Sequence, residues 1–236
     1  MSLFAIGDLH GCPNELDVLL DAIAPGRDDT VVFLGDYVDR GPGVRALVDR
    51  LLRLQQEVFT SVFLRGNHEG MLLAHLGIAG RHGDVYLENG GGTTLASYGI
   101  PDGTPGHASL ALLPAEHVEF FRACRLHYVA GSFLFVHAGV RPGVPLAEQD
   151  EEDLLWIREE FFCQPHALPY TVVFGHTPTR EARIDLPYQI GLDTGLVYGN
   201  KLSCLDVDGQ RLVQVARGAR RATTRDLAPL FAAAHL

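Results

Sequence analysis

The sequence predicts a mixed α/β chain. Three observations carry that expectation: short runs of Val, Ile, Leu and Phe that stop at glycine and polar residues, helical periods opened by proline between the first of these runs, and a hairpin-like C-terminal stretch. The first run, Leu3-Phe-Ala-Ile6, ends at Gly7-Asp8. Pro13 then opens a segment with Leu16, Leu19, Leu20 and Ile23 on one face, followed by Gly26; proline at a helix start and glycine beyond its end is the usual asymmetry. Val31-Val-Phe-Leu34 runs into Gly35-Asp36, and Pro42 opens a second helical period with Leu47, Val48, Leu51 and Leu54. Ser61-Val-Phe-Leu64 stops at Arg65-Gly-Asn-His68, so the first third reads β-α-β-α-β-α. The stretch 74–130 is less regular, with a glycine cluster at Asn89-Gly-Gly-Gly92 and a helix expected over Glu116 to Ala123 after Pro114. Buried strands are expected again at Phe133–Val136, before His137, at Val172–Phe174, before Gly175-His176, and at Ile190–Leu192, before Asp193. From Tyr188 to Ala216 the pattern is antiparallel, with a turn at Asp208-Gly209.

Composition narrows the function classes. A chain of 236 residues, 47% hydrophobic and 20% charged, is expected to be one soluble domain over 1–236, with 74–130 as an irregular substrate-side segment and 217–236 as a terminal tail. Arg217, Arg220, Arg221 and Arg225 in that tail read as a solvated face. Nineteen Lys+Arg against 29 Asp+Glu give a net charge of −10, which argues against general nucleic-acid binding but leaves room for a local phosphate pocket. Cys12, Cys124, Cys163 and Cys204 form no C-x-x-C pair, so neither a zinc knuckle nor a disulfide framework is signalled and reduced thiols in the cytoplasm are expected. No signal peptide or membrane-spanning run is visible, and no heptads suggest an oligomer, so a monomer without membrane partners is the default.

The residues that carry chemistry sit where the apolar runs end, the edge at which open α/β sheets bind ligands: Asp8, His10, Asp36, Asp39, Arg40, Arg65, Asn67, His68, His137 and His176. Carboxylate, imidazole and amide oxygen without thiolate suit Mn²⁺, Fe or Zn²⁺. One carboxylate can bridge two ions, and such a pair polarises a phosphoryl oxygen and acidifies a bound water. Each element alone is a weak signal, since a Gly-Asp turn or a lone histidine is commonplace. Their recurrence at one kind of position is what points to a site.

Gly7-Asp-Leu-His-Gly11 resembles the GDxHG motif of the calcineurin-like metallophosphoesterases. Gly35-Asp-Tyr-Val-Asp-Arg-Gly41 and Leu64-Arg-Gly-Asn-His-Glu69 resemble GDxVDRG and LRGNHE, which mark the phosphoprotein phosphatase branch, including the bacterial and bacteriophage-lambda-type protein-serine/threonine phosphatases. His137-Ala-Gly139, Gly175-His-Thr177 and Asp193-Thr-Gly195 follow in the family's order. The resemblance implies a central β-sandwich of two mixed sheets flanked by helices. It implies two divalent metal ions, with Mn²⁺ as first choice and Fe, Zn²⁺ or Ni²⁺ as alternatives. Asp8, His10 and Asp36 would hold one ion, Asp36 would bridge, and Asn67, His137 and His176 would complete the other. By the same resemblance, a metal-bridging hydroxide attacks phosphorus directly, His68 is the general acid, and Asp39 orients the His68 ring. Arg40 and Arg65 would clamp the phosphate. Asp153-Leu-Leu-Trp-Ile-Arg158 resembles the D-x-x-x-W-x-R stretch of the lambda type, which adds Arg158 to that clamp; the plain alternative is a helix with Arg158 in solvent. Glu69 and Asp193 are expected to support loop geometry.

The sequence departs from the eukaryotic branch. Val140-Arg-Pro-Gly143 replaces the HGGxSP continuation, and Asn89-Gly-Gly-Gly92 with the following threonines resembles the lambda-type and bacterial branches. The expected activity is phosphomonoester hydrolysis, with a protein-serine/threonine phosphatase as the main reading and a phosphoprotein or small phosphoester as substrate. A diadenosine polyphosphate hydrolase on the same core is the alternative. Discrimination between substrates is expected from 74–130 and from the loop Arg141 to Asp153. An inactive scaffold with this fold would lack a ligand, the acid histidine or an arginine, and none is missing.

Overall fold

The computed structural model describes residues 1–234. Its strands are β1 (Leu3–Ile6), β2 (Thr30–Phe33), β3 (Thr60–Phe63), β4 (His127–Ala130), β5 (Phe133–Val136), β6 (Thr171–Phe174), β7 (Arg183–Asp185), β8 (Gln189–Gly191), β9 (Lys201–Asp206), β10 (Arg211–Ala216) and β11 (Thr223–Asp226). Its α-helices are α1 (Pro13–Ile23), α2 (Val44–Leu54), α3 (Asn67–His75), α4 (Gly92–Ser97), α5 (Gly106–Leu110), α6 (Ala115–Ala123), α7 (Glu151–Trp156), α8 (Glu159–Cys163) and α9 (Ala228–Ala233). Among the described residues the strands form two mixed sheets, ordered β11-β10-β9-β1-β2-β3 and β4-β5-β6-β8-β7. In the first sheet the parallel set β1–β2–β3 runs out to the β3 edge, and antiparallel β9, β10 and β11 extend the other side. In the second, the parallel set β5–β6–β8 is central, with antiparallel β4 and β7 at the edges.

Side-chain alternation explains the layering. In β1, Phe4 and Ile6 face one cluster and Ala5 the other; in β2, Val31 and Phe33 oppose Val32. Phe4, Ile6, Val31 and Phe33 pack on Leu16 and Leu19 of α1 and Leu47, Val48 and Leu51 of α2. Ala5, Val32 and Leu205 of the first sheet meet Phe133, Phe135, Val173 and Ile190 of the second, forming the sandwich centre. On the far side Leu134, Val136, Val172 and Phe174 pack on Leu154, Ile157 and Phe161 of the α7–α8 region. Both sheets are therefore covered on both faces, which is why the strands read as continuous apolar runs. None of the described helices is long and apolar enough to cross a membrane.

The expected start and end elements are present, with shifts of a residue or two at their ends. Helix α1 stops at Ile23 because Ala24, not a glycine, takes the left-handed cap at φ 43° and returns its N–H to Leu20. The segment 74–130 is more ordered than its composition suggests. A π-helical turn at Leu87–Gly91, with Gly90 at φ 97°, leads into α4.

In the tail Arg217, Arg220, Arg221 and Arg225 are exposed, as expected of a solvated face, but the segment that carries them is docked on the domain. Arg217 Nη1 donates to Glu15 Oε2 at 3.1 Å, and Gly218 N donates to Glu15 Oε1 at 2.9 Å, so a buried carboxylate on α1 anchors its start. Beyond that, β11 extends the first sheet, and Leu227 and Phe231 are buried between the sheets. A short chain of polar residues around two apolar side chains concealed this docking in the sequence. The part of the tail at 235–236 lies outside the described residues.

Candidate metal centre

Each parallel strand delivers its polar residues to the same edge. Asp8 and His10 follow β1, Asp36 follows β2, Asn67 and His68 begin α3 after β3, His137 follows β5, and His176 follows β6. The connecting turns are tied to one another. Leu9 N and His10 N donate to the Asp36 carbonyl at 3.1 and 2.8 Å. Glu69, buried on α3, accepts from Asp36 N at 2.9 Å, Tyr37 N at 2.8 Å, Val38 N at 3.2 Å and Gly66 N at 2.8 Å. Burial and the neighbouring Asp36 charge push the Glu69 carboxyl up to about 7, against the pull of these amides. Glu69 therefore shapes the loops and stands apart from the donor atoms.

His10, Asp36, Asp39, Arg40 and His176 all have positive φ, at 37°, 53°, 69°, 66° and 63°. Non-glycine residues rarely adopt this region, and its concentration at one edge marks a functional surface. Two glycines explain how the loops approach so closely. A Cβ on Gly66 would collide with Asp36 Oδ1, and one on Gly175 with Asp8 Oδ1.

Asp36 stands between two groups of donor atoms. On one side its Oδ2 lies 3.3 Å from His10 Nε2 and 3.9 Å from His68 Nε2. On the other its Oδ1 lies 3.4 Å from His137 Nε2. Asn67 Oδ1 is 3.0 Å from both His137 Nε2 and His176 Nδ1. Donors about 2.1 Å from one ion lie about 3.0 Å apart at a right angle and about 3.4 Å apart at a tetrahedral angle. The observed separations match the edges of such a coordination shell.

The proton inventory supports the same reading. His137 Nδ1 donates to the Leu34 carbonyl at 2.8 Å, and burial lowers the ring's pKa, so Nε2 presents a lone pair to the oxygens of Asn67 and Asp36. Lone pairs facing one another in a buried site need a cation between them. His10 Nδ1 likewise bonds the Val38 carbonyl at 2.7 Å and turns Nε2 toward Asp36. Burial, with His137 and Arg158 nearby, holds His176 well below the ordinary imidazole value. Burial raises Asp36, but the surrounding His137, His68 and His10 outweigh it and hold the carboxyl well below the usual range. Asp8 goes the other way: burial, then the charges of Asp193 and Asp36, push it well above the usual range. Three mutually repelling buried carboxylates are the arrangement that a divalent cation relieves. The donor set therefore fits two hard or borderline cations sharing Asp36. Asp8 lies beside this set, its carboxylate accepting from His176 N at 3.0 Å.

His68 is oriented differently. Its Nδ1 is 2.6 Å from Asp39 Oδ2, while Nε2 is buried without a hydrogen-bond partner. Asp39 is itself held by Thr94, whose Oγ1 donates to Asp39 Oδ1 at 2.6 Å and accepts from Asp39 N at 2.8 Å. Sequence reasoning missed Thr94 as a site residue. Its only signal was its place just beyond the glycine cluster.

The arginines divide. Arg40 Nη1 donates to His10 Nε2 at 2.7 Å, and Arg158 Nε donates to His176 Nε2 at 3.1 Å, so both lie at the cluster. Arg158 is exposed and Leu154 and Leu155 are buried, as the plain alternative has them, yet its Nε still reaches the His176 ring. Arg65 is held elsewhere: Nη1 donates to Glu151 at 3.1 Å and Nη2 to the Arg122 carbonyl at 3.2 Å. Asp193 Oδ1 accepts from Gly195 N at 2.9 Å, a turn-stabilising contact. Beside Asn67 a cavity of about 240 Å³ opens between Met71, His82, Glu151, Leu155 and Trp156, so the irregular segment and the Arg141 to Asp153 region meet next to the donors.

A family model described as calcineurin-like phosphoesterase matches residues 1–200. The chain is 25% identical over 248 aligned positions to the asymmetrical bis(5'-nucleosyl)-tetraphosphatase PrpE of Oceanobacillus iheyensis, covering 92% of each chain. A solved structure provisionally described as a diadenosine tetraphosphatase superposes with a TM-score of 0.70 at 25% identity, over 92% of this chain and 93% of the other. The cold-active protein-tyrosine phosphatase of a psychrophilic Shewanella species shares the fold, with a TM-score of 0.64 at 18% identity over 96% of this chain and 80% of that one.

Proposed function

The chain belongs to the calcineurin-like phosphoesterase family of metal-dependent hydrolases, and from that premise we propose that it cleaves the phosphoanhydride chain of dinucleoside polyphosphates. The observation that carries the chemistry is Asp36, whose two oxygens face two separate groups of imidazole and amide donors. Asp36, His10 and Asp8 would hold one ion, and Asp36, Asn67, His137 and His176 the other. When bound, the ions polarise a phosphoryl oxygen and make a water nucleophilic near neutral pH.

The protein's own groups do the rest. Arg40 and Arg158 end beside the donor atoms, where planar guanidinium groups neutralise and orient the phosphoryl oxygens. His68 directs a free Nε2 into the same space and donates the proton to the departing oxygen. Asp39, fixed by Thr94, accepts the Nδ1 proton and so favours the doubly protonated imidazolium, whose Nε2 proton is the one transferred, leaving the neutral ring still bonded to Asp39 through Nδ1. Arg65, tied to Glu151, positions the rim of the adjoining cavity.

The reading of the substrate rests on likeness to tetraphosphatases along nearly the whole chain, which supports the dinucleotide alternative over the protein-serine/threonine phosphatase. The test is hydrolysis of diadenosine tetraphosphate with Mn²⁺, followed by chromatography. Asymmetric cleavage predicts equal amounts of adenosine mono- and triphosphate. A kcat/KM at least tenfold higher for a phosphoserine peptide would return the assignment to a protein phosphatase.

A further inference from the structure

We propose that Tyr198 is the platform on which one nucleobase of the substrate stacks. This rests on the dinucleotide reading and assigns one of its specificity determinants.

Large aromatic side chains are mostly buried in this protein, but Tyr198 is 62% exposed. It stands at the edge of the donor cluster. His10 Nε2 is 2.7 Å from Arg40 Nη1, and the Arg40 guanidinium carbon is 5.6 Å from the centre of the Tyr198 ring. One guanidinium thus links the group that faces phosphate to an open aromatic surface. Among the described residues the other markedly exposed tyrosine, Tyr188, lies beside β8 near His166 and Pro187, away from the donors.

The ring is presented by a built turn. Gly195 and Gly199 adopt left-handed φ of 68° and 92° on either side of the 3₁₀ turn Leu196–Tyr198. Asp193 Oδ1 accepts from Gly195 N at 2.9 Å, Tyr198 N donates to the Gly195 carbonyl at 3.0 Å, and Leu196 is buried beneath. Asn200 N also donates to the Gly195 carbonyl at 3.2 Å. The Asp193-Thr-Gly195 motif therefore shapes the turn that holds an aromatic side chain out of the core. A rigid turn lowers the ordering entropy lost when a ligand stacks.

A phosphate and an aromatic base are what a nucleotide offers: Arg40 covers part of the Tyr198 ring and the rest of the ring is open, so the phosphate subsite and the stacking surface lie side by side. A serine or threonine phosphate ester has no ring to place there. Stacking is tolerant of base identity, so adenine and guanine ends are both accepted.

The experiment compares the full-length, Mn²⁺-loaded wild type with Tyr198→Ala, Tyr198→Phe and Tyr198→Trp. For diadenosine tetraphosphate relative to the ringless substrate phosphoserine, Tyr198→Ala raises the KM ratio about tenfold with little change in the kcat ratio. Tyr198→Phe and Tyr198→Trp keep the wild-type ratio, because the ring and not the hydroxyl is used. An unchanged ratio in Tyr198→Ala, or a loss of the ratio in Tyr198→Trp, overturns the proposal. A second measurement separates it from the activity assignment. Adenosine monophosphate and inorganic phosphate are compared as inhibitors of p-nitrophenyl phosphate hydrolysis. Preference for the nucleotide in wild type and its loss in Tyr198→Ala uphold the platform even if wild type fails to cleave the dinucleotide. Equal inhibition by the two in wild type, or a preference that survives in Tyr198→Ala, removes it. If phosphotyrosine peptide loses more than the dinucleotide, Tyr198 serves an aryl ester instead.

Discussion

At the residue scale, His68 separates acid catalysis from ion binding. Its Nδ1 is committed to Asp39 and its Nε2 is free, so the replacement His68→Asn removes a proton donor and leaves His10, Asp36, Asn67, His137 and His176 in place. We expect kcat to fall by roughly 10²–10⁴-fold with metal content unchanged, measured by steady-state kinetics and elemental analysis on the same preparation. Loss of an ion instead would make His68 a ligand. His176 offers a test of electrostatics. Its folded pKa lies well below 6.5, so the unfolded chain binds the proton more tightly. The stability this contributes is full above the unfolded value near 6.5 and is lost as pH falls toward the folded value. With chelator present, the stability advantage of wild type over His176→Asn should therefore grow between pH 5 and 7. Urea midpoints at the two pH values check it, and an advantage that shrinks with rising pH would show that the imidazole is not buried neutral. These residues were readable in the sequence because each follows an apolar run, and strand ends are where an α/β sheet places reactive groups. Thr94 was not, because its partner Asp39 lies 55 residues away and nothing local marks the contact.

At the element scale, the site is a set of turns tied by side chains, and α4 is part of that set. The replacement Thr94→Val keeps the shape of the side chain but strips Asp39 of one donor and leaves Asp39 N without its acceptor. A buried polar group left without its partner costs about 1–3 kcal/mol. The variant should lose that much stability, and its kcat should fall with little change in KM, because the His68 ring loses its fixed support. Denaturant melts and kinetics measured together separate this from a purely structural defect. The helices opened by proline and the strands rich in Val and Phe were legible because local propensity and burial agree there. The π-helical turn before α4 was not: a run of glycines marks flexibility in sequence, whereas its actual use is a left-handed Gly90 beneath Arg40, whose backbone N donates to the Gly90 carbonyl at 3.3 Å.

At the scale of the whole molecule, two sheets packed face to face bring the ends of β1, β2, β3, β5 and β6 to one edge. No single sheet carries all the donors, since Asp8, His10, Asp36 and Asn67 come from the first and His137 and His176 from the second. The site therefore depends on the apolar contact between the sheets, to which the tail contributes. The replacement Phe231→Ala should cost about 3–5 kcal/mol, the usual range for a buried phenylalanine, and should weaken ion binding at the same time. A change within about 0.5 kcal/mol would show that Phe231 does not anchor the tail between the sheets. That docking was illegible because short amphipathic segments look alike whether they cover a core or face water. The pairing of the two sheets could be inferred only from the family resemblance, since long-range register leaves no local trace.

The most direct test of the shared carboxylate is a count of bound ions. After Mn²⁺ loading and removal of free metal, elemental analysis should find two ions per wild-type chain and a loss from both positions in Asp36→Asn, with the variant still folded by circular dichroism. Two ions retained by a folded Asp36→Asn protein would contradict it.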